Sequence, residues 1–106
     1  MTNQTTVYIA GPMTGIEDFN YPAFNIATEI LRARGLEVLN PADTEQYNDT
    51  GKPQEWTWYI RHAIRLVSHA DGIALLPGWE ASKGATLEHQ IGTALGLDIR
   101  PIEEWL

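Results

Sequence analysis

Glu88 stands about one helical turn inside a stretch that suits an anionic ligand. The stretch is Asp71-Gly-Ile-Ala-Leu-Leu-Pro-Gly-Trp-Glu-Ala-Ser-Lys-Gly-Ala-Thr-Leu-Glu88. Its short apolar run, Ile73 to Leu76, lies between Asp71-Gly72 and Pro77-Gly78, the pattern of a strand covered on both faces. Ser82, Lys83 and Gly84 follow the Pro-Gly loop, and apolar spacing resumes at Ala85, Leu87, Ile91, Ala94 and Leu95, which reads as a helix. Free N–H groups at such a helix start attract anions, above all phosphate. The Glu88 carboxylate then faces whatever occupies the loop.

The elements that must position this stretch follow from periodicity. Thr6 to Ala10 is β-branched and aromatic, a first strand that Gly11-Pro12-Met13-Thr14-Gly15 breaks. Residues 16 to 21 form a polar and aromatic loop, and Pro22 suits a first helical turn. Ala23 to Arg34 carries a helical apolar stripe that Gly35 ends. Leu36 to Leu39 is a short strand stopped by Asn40-Pro41, and the β-α-β crossover is expected to be right-handed. Ala42 to Pro53 is polar, either a surface excursion or a lid. Gln54 to Ser68 is a second helix, Asp71 to Leu76 the third strand, Ser82 to Leu95 the third helix, and Leu97 to Ile102 a fourth strand. The alternation predicts an α/β domain spanning residues 1–106: a small doubly wound, flavodoxin- or Rossmann-like parallel sheet of about four strands with helices on both faces. In that fold the Gly11–Gly15 loop opens at the ligand-binding carboxyl end of the sheet.

Composition excludes several classes. At 106 residues with 43% hydrophobic and 20% charged residues, the chain is one ordinary globular domain. A net charge of −7 leaves no basic stripe for nucleic acid. The chain has no cysteine, so no disulfide and no thiolate metal site. His69 and His89 have no partners at metal-ligand spacing, and neither metal nor cofactor is expected. No apolar run spans a bilayer and Met1 to Thr6 lacks signal-peptide features, so a cytoplasmic protein without a membrane partner is expected. The terminal Trp105 and Leu106 are expected to cover a sheet edge or to pack on another subunit.

Three segments together resemble the nucleoside 2-deoxyribosyltransferase-like superfamily: Tyr8-Ile-Ala-Gly-Pro-Met13, Leu36-Glu-Val-Leu-Asn-Pro41, and Asp71 through Gly96 with Ser82-x-Gly84-x-x-x-Glu88 at its core. Phe19-Asn-Tyr-Pro-Ala-Phe-Asn25 and Leu76 through Ala85 look most similar to its small phage and prophage branch. The resemblance implies cleavage or transfer at an N-glycosidic bond, with Glu88 as nucleophile and Tyr8 as the phenol that orients it. A carboxylate traps an oxocarbenium-like sugar as an ester, which water or a second base resolves. Ser82 and Gly84 are similar to the phosphate contacts of 2′-deoxynucleoside 5′-phosphate N-hydrolases, so a small nucleoside 5′-monophosphate is preferred over a free nucleoside. A hydroxyl, an open amide and the neighbouring Lys83 suit a phosphate. Gly11, Pro12 and Met13 would line the sugar side, and a homo-oligomer is implied by the same analogy.

Other roles for these residues stay open. Glu88 suits the helix dipole as a solvated first-turn glutamate, Tyr8 a core position, and Ser82 a helix cap. Trp79 is preferred as the platform for a base, against packing on Trp56, Trp58 and Tyr59. Phe19 and Tyr21 fall at the same end. Asn40 either touches sugar or base or makes a turn with Pro41. The acid that the family uses to assist the departing base maps to Ala63. His62 beside it points about 100° away on the helix. That departure keeps a second function in view, a nucleotide-binding module that senses or sequesters without turnover.

Overall fold

The computed structural model describes residues 4–106. The signal-peptide reading of Met1 to Thr6 therefore lies partly outside the described residues, at Met1 to Asn3. Four strands, β1 Thr6–Ala10, β2 Glu37–Leu39, β3 Gly72–Leu75 and β4 Asp98–Pro101, form one all-parallel sheet in the order β2-β1-β3-β4. Three helices connect them, α1 Tyr21–Ala33, α2 Trp56–His69 and α3 Lys83–Ala94. The α/β doubly wound architecture is as expected. No helix among the described residues is long and apolar enough to cross a membrane.

Alternation along β1 makes the two cores. Val7 and Ile9 turn to one face and pack with Phe24, Ala27 and Leu31 of α1, Val38, Ala74 and Leu76. Tyr8 and Ala10 turn to the other face, against Ala63 and Val67 of α2, Ile73, Leu75 and Ala85 of α3. Burying a large side chain such as Phe24 or Ile9 contributes about 1.5–3 kcal/mol each, so both faces of β1 are committed to packing. The chain leaves β1 towards β2 on one side, and β3 and β4 add on the other. The loops after β1 and β3 diverge at this switch and open a crevice at the carboxyl end of the sheet.

Boundaries shift where capping and turns outweigh periodicity. α1 begins at Tyr21 rather than Ala23, with Pro22 in its first turn. Asp18, Phe19 and Asn20 before it adopt left-handed φ of 54°, 53° and 62°, and Asn20 Nδ2 donates to the Pro12 carbonyl at 3.0 Å. The polar segment after β2 is not wholly an excursion: Pro41–Tyr47 is a 3-10 helix whose Thr44 is buried. Asp71 orders the start of β3, accepting from the Thr6 N–H at 2.9 Å. The tail folds as a 3-10 helix, Ile102–Trp105, and Trp105 packs back on the sheet where β3 meets the edge strand β4. Its indole N–H donates to the Ile73 carbonyl at 3.2 Å, and the Arg100 guanidinium lies 4.1 Å from the ring centroid.

The tail reaches the sheet because Gly72 has no side chain. A Cβ there would fall 2.6 Å from the Trp105 ring and 2.7 Å from the Asp98 carbonyl oxygen. Gly72→Ala is therefore expected to cost about 1–3 kcal/mol through overpacking, read as a lower urea midpoint. Truncating Trp105 should recover only part of that loss, because the clash with the Asp98 backbone remains.

Candidate active site

Both diverging loops and the starts of α2 and α3 surround one cleft of about 1200 Å³. Its floor is the pair anticipated from the sequence. The Tyr8 hydroxyl donates to Glu88 Oε2 at 2.6 Å, with both side chains buried. β1 aims Tyr8 at the α2–α3 face, and α3 brings Glu88 down onto it. Gly92, one turn further along α3, lets the helix approach: a Cβ there would fall 2.6 Å from Ile73 Cδ1.

Glu88 is only 6% exposed. Burial raises its pKa from 4.5 to about 7, although the Tyr8 hydrogen bond pulls it down. Tyr8 is itself held well above the ordinary phenol range, first by burial and then by the Glu88 charge. It therefore remains a protonated donor. Among the described residues no side-chain polar atom is both buried and unpartnered. Glu88 Oε1, which takes no part in the Tyr8 bond, therefore meets the open cleft that Glu88 lines. One carboxylate oxygen is oriented and the other is presented. That arrangement suits a nucleophile or a general base.

The start of α3 forms one wall. Ser82 caps the helix, its Oγ accepting from the Ala85 N–H at 3.1 Å, and it lines the cleft as well. The hydroxyl proton remains available to a ligand. The Lys83 and Gly84 amides are first-turn N–H groups with no carbonyl of their own helix to bond. Lys83 Nζ lies 4.2 Å from the Trp56 ring centroid and is the one cation lining the cleft among the described residues. At Gly84 a Cβ would meet Ile60 and Trp56 at 3.8 and 4.0 Å, ordinary contact distances. Packing thus does not require glycine at position 84, and Gly84 lines the cleft.

Gly11, Pro12 and Met13, from the loop after β1, also line the cleft. Gly11 has a structural reason to be glycine, since a Cβ would fall 2.8 Å from Leu76 Cβ. Pro12 has no N–H to offer, and its carbonyl is occupied by Asn20.

Two expected contacts stand elsewhere. Trp79 does not line the cleft; it packs against the core on the Tyr8 face of the sheet and stacks on His89 at 4.7 Å, with 6° between the planes. The Pro77-Gly78 turn, with Gly78 at φ 86°, starts a 3-10 helix that carries Trp79 away over α3. Asn40 is consumed locally: Oδ1 accepts from the Ala42 N–H at 2.9 Å and Nδ2 donates to Asn25 Oδ1 at 3.0 Å. It caps the 3-10 helix, and Pro41 after it reaches the cleft instead. Phe19 and Tyr21 line the cleft as expected, and so does Ala63, while His62 stacks outside against Tyr47 and Trp58.

Several lining residues had no warning in sequence, above all Trp56, Tyr59, Gln54 and Glu45. The signal that could have found Glu45 is the Asn40-Pro41 pair. A cap followed by proline starts a helical turn, and Glu45 lies just beyond one turn.

The chain belongs to the family described as Domain of unknown function (DUF4406), whose model matches residues 5–100. The matched stretch runs from the start of β1 into β4 and includes Tyr8, Glu45, Ser82 and Glu88. A search of curated proteins finds no match.

The raised Glu88 pKa has a cost in stability. A carboxyl whose folded pKa exceeds its unfolded value favours folding while protonated, and that contribution fades as pH rises from 4.5 to about 7. At 1.36 kcal/mol per pKa unit, holding the charge buried costs about 3 kcal/mol above that window. Glu88→Gln keeps an acceptor for Tyr8 without the charge. It should be more stable than the parent protein at pH 8 and indistinguishable from it near pH 4.5 in denaturant titrations.

Proposed function

For this member of the family, we propose cleavage or transfer at the N-glycosidic bond of a (deoxy)nucleoside 5′-monophosphate, with Glu88 as nucleophile. The observation that carries the reading is the 2.6 Å Tyr8–Glu88 hydrogen bond at the floor of the cleft. It holds one oxygen of a buried carboxylate and leaves the other facing the space where an anomeric carbon would sit. The sequence resemblance to deoxyribosyltransferases names these same two side chains. The phosphate would take the Ser82 hydroxyl, the Lys83 and Gly84 amides, and the Lys83 ammonium once it leaves the Trp56 face. Gly11, Pro12 and Met13 would bound the sugar. Trp56, rather than Trp79, is the tryptophan able to meet a ligand in the cleft. The reading carries with it a cytoplasmic protein, a small nucleotide as partner and, by analogy, a homo-oligomer.

In the reaction, Glu88 Oε1 attacks C1′ as the bond to the base nitrogen breaks, and the base leaves with the bonding pair. The resulting ester is opened by water, giving the free sugar phosphate, or by a second base, giving a new nucleotide. The attacking group must be ionised, so the pKa of about 7 sets the working range.

One observation favours the rival reading of a binding module without turnover. Ala63 lines the cleft where the resemblance would place an acid to assist the departing base. Incubation with a panel of deoxynucleoside monophosphates, scored for free base, separates the two. Release that Glu88→Ala abolishes supports the enzyme; tight binding with no base released supports the module.

For the enzyme, kcat/KM should rise with pH through about 7 as the Glu88 nucleophile ionises. Tyr8→Phe removes the bond that favours the carboxylate, so the inflection should move upward and the rate at pH 7 should fall. Gly84→Ala tests the phosphate wall. It should leave the melting temperature unchanged or raise it, within the ~1 kcal/mol that separates glycine from alanine in helices. Nucleotide affinity should drop, because the new methyl would stand among the cleft-lining residues beside the amide.

A further inference from the structure

The cleft has a second polar end that chemistry at Glu88 does not use. Glu45 enters it from the 3-10 helix Pro41–Tyr47, and Glu45 and Glu88 are the two carboxylates that line it among the described residues. The Tyr59 hydroxyl donates to Glu45 Oε2 at 2.9 Å, and Asn48 Nδ2 donates to Oε1 at 2.8 Å. Tyr59 in turn accepts from the Gln54 backbone N–H at 3.3 Å. Tyr21 stands close by; burial first, and then the Glu45 charge, holds its phenol above the ordinary range. No cation neutralises Glu45, since the one salt bridge among the described residues joins Arg100 to Asp98. Each Glu45 oxygen therefore has a fixed direction and spare acceptor capacity.

The position of this end is set by α2. Tyr59 lies four residues before Ala63, about 6 Å along the helix axis, and Ala63 packs with Tyr8 and Ala85 beside the Glu88 floor. Tyr59 and Glu45 thus stand about one turn nearer the mouth. With C1′ at Glu88 and the phosphate at the start of α3, the base is the part of the ligand left to meet them.

We infer that Glu45 reads the base, selecting those that present an amino group to it; this rests on the nucleotide reading above. An ionised carboxylate only accepts hydrogen bonds. Guanine offers a ring N–H and an amino group side by side, one for each oxygen. Adenine and cytosine offer an amino group to one oxygen. Thymine and uracil set a carbonyl on each side of their ring N–H, and both carbonyls face the charge unfavourably.

The test is the affinity of the full chain for dGMP, dAMP, dCMP, dTMP and dUMP by calorimetry, with base-release kinetics where release occurs. dGMP should bind tightest, and dTMP and dUMP should bind weaker by about tenfold or more. Glu45→Gln keeps the volume and an acceptor for Tyr59 but turns one oxygen into a donor. It should shrink the dGMP to dTMP ratio by about tenfold, with the change in Kd or KM rather than kcat. Glu45 is exposed, so the melting temperature should hold and a general loss of structure is distinguishable. Equal binding of dTMP and dGMP, or a Glu45→Gln effect uniform across all five, would overturn the base-reading role and leave the nucleotide reading intact. Binding of none of the five would overturn both.

Discussion

A carboxylate pressed into an apolar floor by a single phenol is the constraint around which this small protein is arranged. The Tyr8–Glu88 bond spans 80 residues of sequence, and each partner comes from a different element. β1 has to be central, so that one of its alternating faces looks at α3. α3 has to lie close enough to the sheet for a glutamate to touch that face, which Gly92 permits. The interaction does not pay its own way at neutral pH, since burial opposes the charge more strongly than the phenol supports it. The remaining packing, on both faces of β1, holds the group where water would not leave it.

The same economy governs the walls. Gly11 and Gly78 bring the two diverging loops together, with Pro12 Cγ 3.4 Å from a would-be Cβ on Gly78. The start of α3 supplies a capping serine, unpaired amides and a lysine resting on Trp56. The 3-10 helix after β2 closes the far end and brings its own carboxylate. Most of these contacts are short-range consequences of caps and turns. Their convergence on one cleft follows from the switch in strand order between β1 and β3, where connections leave in opposite directions and no side chain fills the gap.

Charge is distributed unevenly along that cleft. Glu88 lies deep, with a pKa moved towards neutrality, whereas Glu45 lies near the mouth with hydrogen-bond donors on both oxygens. Two carboxylates in such different surroundings do not share a role. Under the proposed reading, the deep carboxylate would be the nucleophile and the one at the mouth would read the base. Ala63 lines the cleft as well and adds no polar group to it.

Local signals were sufficient for the four strands and the three long helices. Periodicity at Ala23 to Arg34, apolar runs at Thr6 to Ala10 and Ile73 to Leu76, and breaks at Gly35, Pro77-Gly78 and Gly96 specify the α/β alternation, because helix and strand bonds form between near neighbours or along regular ladders. Ser82 was legible as a cap for the same reason. Glu88 was legible as a candidate through its place one turn past the Pro-Gly loop, and Tyr8 through the resemblance alone, but their contact was decided by packing between elements far apart in the chain. Tertiary structure alone sent Trp79 onto His89, tied Asn40 Nδ2 to Asn25, and folded Pro41–Tyr47 back so that Glu45 meets Tyr59. A side chain's direction in a loop depends on which long-range partner captures it, and no period in the sequence encodes that partner.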